Sequence, residues 1–273
     1  MKKQLGSNMK IDQNLLGWES IVKNWKNVTW PRRPSSFEIE KFLPLVEKFP
    51  KSNIAILGAT PEYRAAILQA FQNGSKPDLY LIEKSKLSYK EMTKILKNQF
   101  HLNPVNETIL NFDWEELSIP KNTFNLILGD TVLGYFQSKE RLEAFLNNCH
   151  YMLADKGLII LREFMLTKLK YSPKEIRHLP ISIDLKRWSY IFSNGFAIEN
   201  NTFYEEKLAY NLLVKVNDTK VYKTCANPPR VRLVLDLKTL DQLATKSGFS
   251  LKVLYWPENG DLPSPKLFVL EKR

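Results

Sequence analysis

Cysteine and histidine are scarce in this chain, with two and three residues among 273. Cys149 and Cys225 stand far apart with no C-x-x-C pair, which excludes a disulfide scaffold and a cysteine-built metal centre and suits a reducing compartment. His101, His150 and His178 are too scattered for a histidine-rich centre, so no metal is expected. Long apolar runs are missing too; none approaches the ~20 residues that span a bilayer, and no membrane partner is expected. Behind Met1-Lys2-Lys3 there is no continuous apolar stretch of the kind a secretory leader carries, and the chain reads as a cytoplasmic protein. Acidic residues are in deficit, 29 against 40 basic ones, for a formal net charge of +11. Thirty of the basic residues are Lys, spread along the chain. Nucleic-acid binders concentrate charge on one face and use Arg for fork contacts, so nucleic acid is a possible but disfavoured partner.

What is present is enough apolar material, 44% of residues, for a sizeable core in one elaborated domain. The spacing predicts helices over about 13–26 and 36–48, separated by the breaker Thr29-Trp30-Pro31-Arg32-Arg33-Pro34. From Asn53 short apolar runs alternate with helical spacing. Ile54 to Leu57 ends at Gly58, Leu79 to Ile82 at Glu83, and Thr108 to Leu110 precedes Asp113. Phe124 to Leu128 ends at Gly129-Asp130, and Gly157 to Leu161 at Arg162-Glu163. Helices are predicted from Pro61 to about Phe71, over about 87–99 and over about 138–152. Continuous apolar strands between amphipathic helices imply a parallel sheet covered on both faces. The alternation lapses after residue 164 for about sixty residues, which hold aromatic-rich segments predicted as helical, Trp188 to Phe192 and Phe203 to Val216. It resumes with a helix at about 237–247 and strands at about 250–256 and 266–271, a pair that predicts an antiparallel edge. The interruption reads as a cap over the carboxyl ends of the strands, where open α/β sheets bind ligands.

Four of those strand ends carry residues suited to one ligand. Gly58 permits close backbone approach, and Ala59-Thr60-Pro61-Glu62 suits a turn into a helix whose free N–H groups welcome an anion. Glu83, twenty-five residues on, is placed to accept ribose hydroxyls. Asp113-Trp114 offers an acceptor for an exocyclic amine beside a flat ring, and Asp130 is followed by Tyr135 one turn later.

Gly58, Glu83, Asp113 and Asp130, in that order at successive strand ends, resemble the class I S-adenosylmethionine-dependent methyltransferase family. The resemblance covers about residues 50–163 and resumes over 236–273, where Ser247-Gly248-Phe249 and two strands look like the family's reversed last pair. It implies a Rossmann-like α/β fold, a mostly parallel sheet with an antiparallel C-terminal strand. Residues 1–50 would form a helical lid, 51–163 the cofactor-binding core, 164–235 an inserted helical cap, and 236–273 the completion of the sheet. It also implies S-adenosyl-L-methionine as cofactor, with Gly58, Ala59, Thr60 and Glu62 around its methionine portion, Glu83 on its ribose, and Asp113 with Trp114 at its adenine. The family's usual first motif has an acid two residues before its first glycine and glycines at alternate positions after it. Here Ile56, Thr60 and Glu62 stand there, so Glu62 or Asp130 is the expected partner of the cofactor's amino group.

The expected reaction is methyl transfer to an oxygen or nitrogen nucleophile. Asp130, Tyr135, Arg162 and Glu163 are the candidate catalytic residues at the rim. Among Trp18, Trp25, Trp30 and Arg32-Arg33, the lid candidates taken forward are Trp30 and Arg33, with Trp188 and Tyr204 from the cap. An aromatic-rich cap suits a small-molecule acceptor. The alternatives are an RNA or protein methyltransferase, or a non-catalytic binding protein on the same fold. Asn227-Pro228-Pro229-Arg230 lacks the aromatic that an amino-methylating Asn-Pro-Pro motif needs and lies away from the fourth strand, so it is set aside. A nicotinamide site is disfavoured by the missing later glycines of G-x-G-x-x-G, and a P-loop by the missing Gly-Lys-Ser/Thr.

Overall fold

The computed structural model describes residues 12–165, 172–180, 185–186, 197–198, 203–205, 231–256 and 264–273. Seven strands build one sheet: β1 (Asn53–Leu57), β2 (Asp78–Ile82), β3 (Glu107–Leu110), β4 (Phe124–Asp130), β5 (Leu153–Phe164), β9 (Phe249–Tyr255) and β10 (Pro265–Lys272). Their order is β3-β2-β1-β4-β5-β10-β9. β1 pairs in parallel with β2 and β4, β2 with β3, and β4 with β5. β10 is antiparallel to both β5 and β9, which leaves β9 running with the rest. The C-terminal strand is the reversed one, as the sequence predicts, and it lies one place in from the edge, between β5 and β9. Only hairpin closure between β9 and β10 was legible, and this is satisfied with either strand outermost.

The apolar runs explain the central strands. Ile54 and Ile56 of β1 enter one core, with Leu126, Leu128 and Ile160, under α2 (Ser36–Val46) and α3 (Pro61–Ala70). Ala55 and Leu57 enter the opposite core, with Ile127, Ile159 and Leu161, under α5 (Lys139–Met152) and α7 (Leu237–Lys246). A strand buried on both faces has no use for polar alternation. A third cluster joins α1 (Gln13–Val22), the short 3-10 turn Trp25–Asn27 and α4 (Lys86–Phe100) through Ile21, Val22, Trp25, Met92 and Ile95. Helix starts follow local chemistry. Ser35 and Glu38 form a reciprocal capping box on α2, Ser85 caps α4 by accepting from Ser88 N, and Asp236 caps α7 by accepting from Thr239 N.

Between β5 and α7 the described residues form a six-residue helix, α6 (Pro173–His178), and a small antiparallel sheet of β6 (Ala197–Ile198), β7 (Phe203–Glu205) and β8 (Val231–Leu233), ordered β6-β7-β8. Phe203–Glu205 is thus the middle strand of a sheet where helical spacing had been read. Phe and Tyr favour strands once neighbours exist to pair with, and such pairing across distant segments leaves no local period. Trp188, Tyr190, Phe192 and Tyr210, and the Asn227–Arg230 segment, lie outside the described residues. Among the described residues no helix is long and apolar enough to cross a membrane, and no group of three His, Cys, Asp or Glu is placed to hold a metal ion.

Candidate functional site

The carboxyl ends of β1, β2 and β4 open into a cleft with about 1070 Å³ of empty space, its mouth included. Its floor begins at Gly58, where the chain leaves β1 with φ +101°, a conformation side chains resist. A Cβ built on Gly58 would point between Glu83 Oε2 and Trp114 Cζ2, each 3.9 Å away. The missing side chain therefore opens a cradle walled by an acid and an aromatic edge. Gly58 N donates to Ile82 O at 2.9 Å, which pins this turn to the end of β2.

Glu83 is 6% exposed. Its Oε1 accepts from Ser85 N and its Oε2 from Ser88 Oγ, both at 2.8 Å. Burial outweighs these two bonds and pushes its carboxyl up to about 7. The N-terminal helix closes over this end: Trp18 Nε1 donates to Ser88 Oγ at 3.2 Å, and Ser85 Oγ donates to Glu19 Oε1 at 2.6 Å.

Asp113 stands on the loop after β3. Its Oδ2 accepts from Lys84 Nζ and from Tyr135 OH, each at 2.8 Å, and its Oδ1 accepts from Glu115 N. Burial raises its carboxyl, but the bonds from Lys84, Glu115 and Tyr135 prevail and leave it below the usual range. Tyr135 is shifted well up, by burial first and the Asp113 charge second, so it is a donor here and no base. Trp114 Nε1 donates to Ile82 O at 2.8 Å, and its ring meets Tyr135 edge-on with centroids 4.9 Å apart.

At the other end of the cleft lie Arg32, Thr60, Asp130 and Thr131. The Asp130 side chain is 4% exposed and its Oδ1 accepts from Arg162 Nη1 at 2.8 Å. Burial raises its carboxyl to about 6 against the opposing pull of Arg162. Thr131 has φ +55°, an uncommon conformation for a β-branched residue, and its N–H donates to Arg162 O at 2.7 Å.

Two rim residues expected at the chemistry are instead buried beneath it. Arg162, fully buried, donates to Glu38 Oε1 at 2.9 Å, Asp130 Oδ1 at 2.8 Å, Pro31 O at 2.6 Å and Arg33 O at 3.2 Å. It bolts the segment before α2 onto the ends of β4 and β5. Glu163, 2% exposed, accepts from Leu133 N at 2.9 Å under the 3-10 turn Leu133–Tyr135. Neither is among the described residues lining the cleft. Glu62 is also absent from that lining; its Oε1 accepts from Arg33 Nε at 2.6 Å. Arg33 and Trp30 line a separate surface cavity with Ile39 and Leu43 of α2 and Ala66 of α3. Tyr204 lies on β7, opposite Ala197 and Arg232 in register.

The cleft instead receives Arg32, Trp18, Trp25 and Lys84, with Thr131 and Phe164. Arg32 and Arg33 could not be told apart in sequence, since the preference between them is set by Arg162, 131 residues beyond Pro31, gripping the carbonyls on either side. Lys84 reads in sequence as a solvated residue of the Lys84-Ser85-Lys86 run. Its place directly after Glu83 at a strand end was the one signal available.

No family model matches the chain, and no curated protein matches it in sequence. Solved structures do match its fold. An S-adenosylmethionine-dependent methyltransferase from Mesorhizobium loti is 12% identical with TM-score 0.52, over 85% of this chain and 98% of that one. A SAM-dependent methyltransferase from Methanosarcina mazei is 12% identical with TM-score 0.53, over 84% and 97%. A Rhodobacter sphaeroides protein provisionally named a zinc-dependent alcohol dehydrogenase is 17% identical with TM-score 0.54, over 93% and 98%. With the strand order and the reversed β10, these likenesses establish the fold of the class I S-adenosylmethionine-dependent methyltransferases.

Proposed function

We propose that the protein is an S-adenosylmethionine-dependent methyltransferase acting on an oxygen or nitrogen of a small molecule. The observation that carries this reading is the cradle at Gly58, open between Glu83 and Trp114, with Asp113 and Asp130 further along the same cleft. The residues fit a nucleoside bearing an amino acid. Glu83 keeps an unused lone pair on each oxygen for the ribose hydroxyls. Asp113 and Trp114 supply an acceptor and a flat ring for the adenine, and the Asp113 contacts with Lys84 and Tyr135 hold the carboxylate ionised for that purpose. At the far end Arg32 and Asp130 line the cleft, where the guanidinium would pair with the cofactor's carboxylate and the Asp130 carboxylate would hold its ammonium. Asp130, not Glu62, is then the acid that replaces the missing one at Ile56.

Bound there, the cofactor would supply a sulfonium methyl for in-line displacement. The chain's own contribution is positioning: holding the two partners in near-attack geometry is the largest effect available to such a site. Asp130 and Tyr135 touch the cleft directly. Arg162 and Glu163 act through other groups, the first fixing Asp130 and the backbone around Arg32, the second fixing the turn that carries Tyr135. A small acceptor is supported by Leu15 and Trp18 of α1, which line the cleft, and by β8 packing on the Leu133–Tyr135 turn that carries Tyr135 into it.

Calorimetric titration with S-adenosylhomocysteine, with NADPH as control, tests the assignment. Micromolar binding that Glu83→Ala weakens by tenfold or more, about 1.4 kcal/mol, is the expected result. A folded, ligand-free protein that binds NADPH and no S-adenosylhomocysteine would refute it.

A further inference from the structure

Three described indoles line the cleft, and the chain itself answers the N–H groups of two. Trp18 Nε1 donates to Ser88 Oγ at 3.2 Å, and Trp114 Nε1 to Ile82 O at 2.8 Å. Trp25 is the third; it is 4% exposed, and its Nε1 meets no acceptor among the described residues. Four buried side-chain polar atoms are left in that condition, the others being Glu62 Oε2, Tyr63 OH and Ser247 Oγ. Of these, only Trp25 Nε1 belongs to a residue lining the cleft. An indole nitrogen is a donor only, so no tautomer or change of protonation can relieve it. Phe in its place would pack as well with no donor to satisfy.

The surroundings of the ring say where an acceptor must come from. Trp25 belongs to the cluster of Ile21, Val22, Val28, Ala59, Met92 and Ile95, and meets Trp18 edge-on with centroids 5.6 Å apart. None of these side chains carries an oxygen, and the cleft is the other space that Trp25 borders. Ala59 follows Gly58 on the turn assigned to the amino-acid portion of the cofactor, which places Trp25 at that end. The other polar groups of such a ligand are met by acids: Glu83 for the ribose hydroxyls, Asp113 for the adenine amine, Asp130 for the ammonium. The carboxylate has acceptors only and needs donors. Lys84 is held at the adenine end, donating to Asp12 at 3.3 Å and Asp113 at 2.8 Å. Trp25 and Arg32, on the segment joining α1 to α2, bring side-chain donors to the same cleft.

We propose that Trp25 is a specificity-determining residue of the cleft, its indole N–H donating to the carboxylate of the bound cofactor alongside the Arg32 guanidinium. This rests on the methyltransferase reading. A donor left unanswered in the free chain adds to affinity when the ligand brings the acceptor, and a bond to an ionised oxygen is stronger than one between neutral groups. The cleft therefore prefers a nucleoside bearing the whole amino acid to its decarboxylated counterpart.

The test uses the full chain and three ligands sharing one nucleoside: S-adenosylhomocysteine, its decarboxylated aminopropyl analogue, and 5′-methylthioadenosine. The chain has six Trp, so its indole N–H resonances can be followed singly by NMR on nitrogen-15 tryptophan-labelled protein, with Trp25→Phe assigning the one in question. That resonance should move downfield at saturation with S-adenosylhomocysteine and stay near its free position with the other two. Calorimetric affinity for S-adenosylhomocysteine should fall at least tenfold in Trp25→Phe, with the other two ligands within about twofold. A resonance unmoved by S-adenosylhomocysteine, or moved as far by the decarboxylated analogue, overturns the proposal. So does unchanged affinity in Trp25→Phe, or a loss shared equally by all three ligands, which marks a packing role. Should Trp25→Phe fail to fold, the wild-type spectra, assigned by backbone and side-chain correlation, decide by themselves. S-adenosylhomocysteine binding that Glu83→Ala weakens, with the Trp25 resonance unmoved, removes the indole contact alone. Absence of S-adenosylhomocysteine binding removes the methyltransferase reading and the contact with it.

Discussion

Glu83→Gln should strengthen the protein while disarming it, and the two effects have opposite dependence on pH. The Glu83 carboxyl is raised from 4.5 to about 7, chiefly by burial. A carboxyl whose folded value is raised contributes stability that is fully present below about 4.5 and is lost as pH rises through about 7. The full loss is on the order of 3 kcal/mol, from roughly 2.5 units at 1.36 kcal/mol each. Gln never ionises, and its carbonyl can still accept from Ser85 N while its amide donates to Ser88 Oγ. The variant's advantage in urea-denaturation stability should therefore be near zero at pH 4.5 and grow to about 2–3 kcal/mol by pH 8. Comparing variant with parent at each pH cancels the other titrating acids, Asp130 among them. Cofactor affinity should move the other way. If the ribose hydroxyls donate to ionised Glu83, the competent fraction falls from about 0.9 at pH 8 to about 0.1 at pH 6. The parent should thus bind S-adenosylhomocysteine nearly tenfold more weakly at pH 6 than at pH 8, and Glu83→Gln should bind weakly at both. Parallel stability profiles for parent and variant between pH 4.5 and 8 would refute the burial argument. Parent affinity that is flat over the same range would refute the ribose contact.

Arg162→Met should cost about 3–5 kcal/mol of folding stability, because it leaves Glu38 and Asp130 buried without their shared cation; denaturant melts at pH 7.5 measure this directly. Arg32→Ala should weaken S-adenosylhomocysteine at least tenfold and leave 5′-methylthioadenosine, which lacks the amino acid, within about twofold. Equal losses for both ligands would place Arg32 away from the carboxylate. Gly58→Ala should destabilise the free protein by only about 1–2 kcal/mol, since the new Cβ meets nothing closer than 3.9 Å and the penalty comes from φ +101°. The same methyl occupies the cradle, so calorimetry should register a loss of S-adenosylhomocysteine binding larger than tenfold.

The central sheet was readable because its signals are local. A strand buried on both faces is written as an unbroken apolar run, and a capped helix carries its Ser or Asp at the start. Every predicted element of the core, from Ile54 to the helix ending near Lys246, accordingly lies within a few residues of where it was expected. Position at a strand end also marks cleft residues without any knowledge of contacts, which is why Gly58, Glu83, Asp113 and Asp130 could be picked out together. What failed to show were choices made at a distance. Arg162 and Glu163 sit at a strand end like the others, yet their side chains turn under the rim to satisfy Pro31 O, Glu38 and Leu133 N. A strand-end position predicts nearness to the cleft, and the partner that claims the side chain decides whether it enters.

The same division separates the cleft from the chain beyond β5. The cleft is built from backbone turns that follow strands, and turn chemistry is written residue by residue. Beyond β5 the described strands take their places by pairing: β10 by register with β5 and β9, and β7 by lying between β6 and β8. Register cannot be read from either strand by itself. Glu163 shows the consequence: in sequence it is one more charged residue at a strand end, and only the fold buries it beneath the Leu133–Tyr135 turn, where it accepts from Leu133 N.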